Sequence, residues 1–83
     1  MIKQNKLKKI ENDLVKVINK KSKKKINLTT NLIREEIVDS LFLIEIVSFL
    51  EKRHKVIIPT NKISVEDFKS IKNLILLIKK ITG

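Results

Sequence analysis

Three observations predict an all-α fold for this chain. Its 83 residues include one glycine, Gly83, and one proline, Pro59, so the residues that punctuate turns and strands are nearly missing. Apolar residues recur at spacings of three and four in two long windows, the period of a helix face. A single β-branched run, Val56-Ile57-Ile58, reads as a strand, and no second convincing run exists to pair with it. The expectation is a single domain over residues 1–83: three main helices, a short helix before the last, and a long loop between the first two.

The first helix is predicted over about residues 3–20. Leu7, Ile10, Leu14, Val17 and Ile18 form its apolar stripe, with lysines on the other face. Lys20 to Lys25 has no periodicity and too much like charge to pack, so a solvated turn is expected there. Thr29, Thr30 and Asn31 lie in a connection reaching Asp39, which Ile26, Leu28, Leu32, Ile33 and Ile37 are expected to pin onto the core. The second helix is read from Ser40 to about His54. It is apolar on almost every face, which makes it either central to the bundle or exposed in part to a partner. Val56 to Ile58 then reads as an extended connector ending at Pro59. Ser64-Val65-Glu66-Asp67 has the form of an N-cap followed by first-turn carboxylates, the start of a short helix. Ser70 caps the last helix, with Ile71, Leu74, Ile75, Ile78 and Ile81 as its stripe.

Composition narrows the chemistry. No cysteine is present, so a disulfide framework, a thiolate metal site and a cysteine nucleophile are all excluded, and a cytoplasmic location is expected. The longest apolar runs fall far short of a bilayer span, so no membrane insertion is expected. The net charge of +10 is unevenly spread. Residues 1–25 hold ten lysines against Glu11 and Asp13, whereas residues 26–59 hold four basic and five acidic side chains. Lysine, isoleucine and asparagine supply 39 of the 83 residues, and all three have A- and T-rich codons. Base bias is therefore the simpler account of the charge than a selected basic patch.

Catalytic and metal constellations are not evident. His54 is the only histidine, with no second imidazole or cysteine to share an ion, and it suits the C-terminus of the second helix. Glu35 and Glu36 are adjacent and point apart on any regular element, so they do not form an acid/base pair. No glycine-rich phosphate loop exists. The expectation is a protein without catalytic residues or metal ligands. A small basic helical nucleic-acid-binding domain is the alternative. The apolar second and third helices fit a groove poorly, and Phe42, Phe49 and Phe68 read as packing residues rather than a stacking platform.

The most informative residues are Asp39-Ser40-Leu41, at the head of the apolar run to Leu50. At a helix mouth, a serine hydroxyl sits among unpaired N–H groups and the positive end of the dipole, a natural setting for a phosphate. Taken alone, the tripeptide reads as a plain helix cap. The wider pattern is Ile37-Val38-Asp39-Ser40-Leu41, Ile44-Glu45-Ile46-Val47, Leu50-Glu51 and Ile58-Pro59, continued by Ile63, Glu66-Asp67-Phe68 and Ser70-Ile71. It resembles the acyl carrier protein family, without gaps from Leu32 to Pro59 and over about two-thirds of the chain.

That resemblance implies the four-helix carrier bundle, acting as a monomer. It implies 4′-phosphopantetheine, taken from coenzyme A by a phosphopantetheinyl transferase and esterified to Ser40, with Asp39 and Leu41 beside the attachment. The arm's thiol would hold an acyl or aminoacyl group as a thioester, so the sulfur comes from the cofactor. Further partners implied are a loading ligase and a downstream acyltransferase or synthase of fatty-acid or specialised-metabolite assembly. Phe42, Leu43 and Glu45 are the expected partner contacts. Three departures qualify the resemblance. Lys52, Arg53 and Lys55 follow Glu51 where fatty-acid carriers are acidic, which changes the sign of electrostatic steering there. Glu36 replaces a glycine common two or three residues before the aspartate, so no positive φ is expected at that position. The spacing of Pro59, Ile63, Phe68 and Ser70 looks more like stand-alone carriers for amino acids or for specialised clusters than like fatty-acid carriers, and D-alanyl carrier proteins share that shape.

Overall fold

Three α-helices form where the sequence leads one to expect them: α1 (Gln4–Ser22), α2 (Ser40–His54) and α3 (Ile71–Thr82). The computed structural model describes residues 3–82. The expected domain 1–83 extends beyond them at residues 1, 2 and 83, which lie outside the described residues. Two 3-10 helices, Thr60–Lys62 and Val65–Phe68, lead into α3, and no strand occurs among the described residues. The second is the short helix expected before the last. The first was not foreseen, because three residues are too few to set a period. No helix among the described residues is long and apolar enough to cross a membrane.

Each helix buries one stripe. Leu7, Ile10, Leu14 and Ile18 of α1 are buried, and Val17 is half-buried at its margin. On α2 the buried residues are Phe42, Ile46 and Leu50, four apart, with Leu43, Val47 and Phe49 half-buried beside them. On α3 they are Ile71, Leu74, Leu77 and Ile78; Leu77 belongs to the stripe, whereas Ile75 and Ile81 flank it. Phe68, Leu32, Val56 and Ile58 complete the core from the connections. Burying a side chain of this size contributes on the order of 1.5–3 kcal/mol, and about a dozen and a half such residues oppose the chain entropy.

The helix pair α1/α2 runs antiparallel. Asp13 meets Arg53 and His54 at one end, and Lys21 meets Phe42 at the other. The helix α3 packs on α1 and on the 3-10 helix before it. Ser70 Oγ accepts from Asn73 N at 3.1 Å, the expected cap of α3. Asp67 Oδ2 accepts from Ser64 N at 2.9 Å, which ties down the start of the preceding 3-10 helix. Val56 to Ile58 belongs to no helix or strand, and Ile58 N donates to Glu51 Oε2 at 3.3 Å.

The connection between α1 and α2 is held by backbone hydrogen bonds. Leu32 N donates to Lys69 O at 2.6 Å and Lys72 N donates to Leu28 O at 2.9 Å, which stitch the loop to the start of α3. Ile26, Leu32, Ile37 and Val38 are buried and Ile33 is half-buried. Leu28 is 38% exposed, contrary to expectation. Its carbonyl, not its side chain, makes the attachment.

Candidate functional site

The turn that delivers the chain to Ser40 closes on Glu36. Residues 32–36 make one helical turn, which begins at Asn31, whose Oδ1 accepts from Arg34 N at 3.0 Å. Ile37 N donates to Leu32 O at 2.9 Å and Glu36 N donates to Ile33 O at 3.0 Å. Those two bonds, with Leu32 and Ile37 both buried, define a Schellman motif. Its left-handed position falls on Glu36, with φ of 58°. The expectation that replacing glycine removes the need for positive φ is therefore corrected. The turn keeps its left-handed residue because the motif's hydrogen bonds require it, and Glu36 adopts that conformation at a steric cost.

Asp39 then caps α2. It is extended (φ −113°), its Oδ1 accepts from Phe42 N at 2.8 Å, and its carbonyl accepts from Leu43 N at 2.9 Å. Ser40 is the first residue of the helix and is exposed. Neither the Ser40 hydroxyl nor the N–H groups of Ser40 and Leu41 have a hydrogen-bond partner among the described residues. A free hydroxyl thus stands beside two unfilled donors at the positive end of a four-turn helix, an arrangement suited to a phosphate.

The face beside Ser40 is apolar. Leu41 is 66% and Ile44 63% exposed; they lie three residues apart and so adjoin on the helix surface, with the exposed Glu45 next to them. Of the two readings open for so apolar a helix, α2 follows the second: it buries one stripe and leaves another bare. Phe42 was expected in a partner contact but is only 4% exposed. It faces α1, with Lys21 Nζ 5.4 Å from its ring centroid, a cation over an aromatic face. Leu43 is half-buried against the core. Ile44 is the exposed residue that sequence reasoning missed. Its signal was the four-residue register of Phe42, Ile46 and Leu50, which turns position 44 outward.

His54 lies at the opposite end of α2, as expected for the only histidine. Its Nε2 is 2.9 Å from Asp13 Oδ2, and since a carboxylate only accepts, the ring nitrogen carries the proton there. Arg53 Nε donates to the same oxygen at 3.1 Å. The Arg53 hydrogen bond, aided by that of His54, holds the Asp13 carboxyl below its ordinary range despite partial desolvation. Phe49 meets the His54 ring edge-on at 6.2 Å. Among the described residues no group of three or more His, Cys, Asp or Glu side chains is placed to hold a metal ion. Neither a protein-family model nor a curated protein matches this chain.

Proposed function

We propose that this chain is a carrier protein whose Ser40 bears 4′-phosphopantetheine and whose arm presents an acyl or aminoacyl thioester to partner enzymes. The observation that supports it is the Ser40 hydroxyl itself: exposed, unbonded among the described residues, and placed at the head of α2 beside two unfilled N–H donors. In the loading step the Ser40 oxygen attacks the β-phosphorus of coenzyme A. The pyrophosphate P–O bond breaks, adenosine 3′,5′-bisphosphate leaves, and the transferase takes the serine proton. The free N–H groups of Ser40 and Leu41 and the positive end of α2 would favour the negative charge of the phosphodiester. Leu41 and Ile44 supply an apolar contact for the transferase and for later partners, with Glu45 at its edge.

One further observation favours this reading over a nucleic-acid-binding domain, and a second favours it over a catalytic serine. Phe42 and Phe68 are buried and Phe49 is half-buried, so the three aromatic rings form no platform for bases. The single histidine is paired with Asp13 far from Ser40, so a serine nucleophile would have no imidazole beside it.

Incubation with coenzyme A and a promiscuous phosphopantetheinyl transferase is expected to raise the intact mass by one phosphopantetheine. Ser40→Ala, which keeps the Asp39 cap, is expected to gain nothing while melting at the same temperature as the parent. No mass gain with several such transferases would sink the carrier reading.

A further inference from the structure

An open groove runs between the first half of α1 and the end of α2. Six lysines line it: Lys3, Lys6, Lys9 and Lys16 beside or on α1, and Lys52 and Lys55 at the end of α2. The four from α1 are spaced by three or seven residues, so they share one side of the helix. Asp13 is the groove's single carboxylate and is already engaged by Arg53 and His54. None of the six lysines forms an ion pair among the described residues. Codon bias sets how many lysines a chain has, but not where its fold gathers them.

A second concavity adjoins the first. It shares Lys3, Lys6 and Lys55, and its remaining lining is Val56, Ile57, Ile81 and Thr82. Ile57 is 80% exposed, more than any other large hydrophobic residue described. The most exposed large hydrophobic residue described thus shares a concavity with three lysines.

We propose that this face docks peripherally on an anionic lipid bilayer. Lysine ammonium groups on long stems reach a layer of lipid phosphates while their methylenes follow the apolar boundary, and Ile57 enters the headgroup region between them. A nucleic-acid backbone would make no use of an exposed isoleucine. Arg53, the groove's one arginine, is spent on Asp13. Docking leaves Ser40 free. It opens α2 at the other end, about 21 Å away at 1.5 Å per residue. The proposal stands whether or not Ser40 is modified.

Flotation of the unmodified protein with vesicles tests it. Binding is expected to vesicles of phosphatidylcholine mixed with phosphatidylglycerol, not to phosphatidylcholine alone, and to weaken with salt. The triple variant Lys6→Glu, Lys52→Glu, Lys55→Glu is expected to bind at least about tenfold more weakly. Lys62→Glu, Lys69→Glu, Lys79→Glu, with the same charge change outside the groove, is expected to bind much as the parent does. Ile57→Ser is expected to weaken binding at unchanged net charge. Equal losses in the two triple variants would overturn the proposal, because total charge alone would then explain binding. So would a failure to bind the mixed vesicles. Tighter binding to a duplex oligonucleotide, with Ile57→Ser without effect on the vesicles, would overturn it in favour of nucleic acid. Because the protein carries no arm in these experiments, a failed modification of Ser40 leaves the result unaffected.

Discussion

Glu36 is the residue at which local sequence and local structure disagree. A left-handed conformation costs an L-residue about 1–2 kcal/mol, and glycine avoids most of that at some cost in chain entropy. Glu36→Gly is therefore expected to stabilise the protein by about 0.5–1 kcal/mol. Urea denaturation would show a higher midpoint at an unchanged slope, and a lower midpoint would mean that the glutamate side chain offsets its own backbone strain. Asp39 and Ser40 were legible in the sequence because capping is local chemistry, decided within four residues. Glu36 was not, because its φ is set by hydrogen bonds that Leu32 and Ile33 accept, and the residue type argues the other way. Phe42 was misread for a related reason. Which side of α2 faces the core depends on where α1 lies, and Lys21 shows that it lies over Phe42.

Among the elements, the period of apolar residues placed α1 to within two residues, the apolar run behind Asp39-Ser40 placed α2, and the two serine-led segments announced the short helix and α3. What the period could not supply was the pairing of one helix with another. Asp13 makes that pairing at the α1/α2 contact, forty residues from Arg53 in sequence. Its carboxyl is depressed in the folded protein, chiefly by the Arg53 hydrogen bond and then by His54. The stabilisation is accordingly present above the ordinary carboxylate value of about 3.9 and is lost as pH falls through the lower folded-state value. Asp13→Asn is expected to melt a few degrees lower than the parent at neutral pH. The difference should shrink on acidification from about pH 5 to about pH 2, as thermal melts followed by circular dichroism would record. Parallel curves for the two proteins would mean that the contact adds no stability through its charge.

Over the whole molecule, a net charge of +10 on 83 residues meets few internal pairs. Self-repulsion of that size opposes compaction and is screened over about 10 Å at 0.1 M salt. Added sodium chloride is expected to raise the melting temperature by several degrees between low and physiological ionic strength, and a flat response would mean that the lysines are already far enough apart. Six of the lysines line the groove at the end of α2 remote from Ser40, so the lipid-facing end and the attachment end that we propose lie at opposite ends of α2. The loop between α1 and α2 adds a matter of timing. Its hydrogen bonds to Lys69 and Lys72 tie the turn before Ser40 to residues made some thirty positions later. The setting of Ser40 is therefore complete only once the start of α3 has docked on the loop. On the carrier reading that we propose, an enzyme that recognises this setting would modify only a chain in which that docking has occurred.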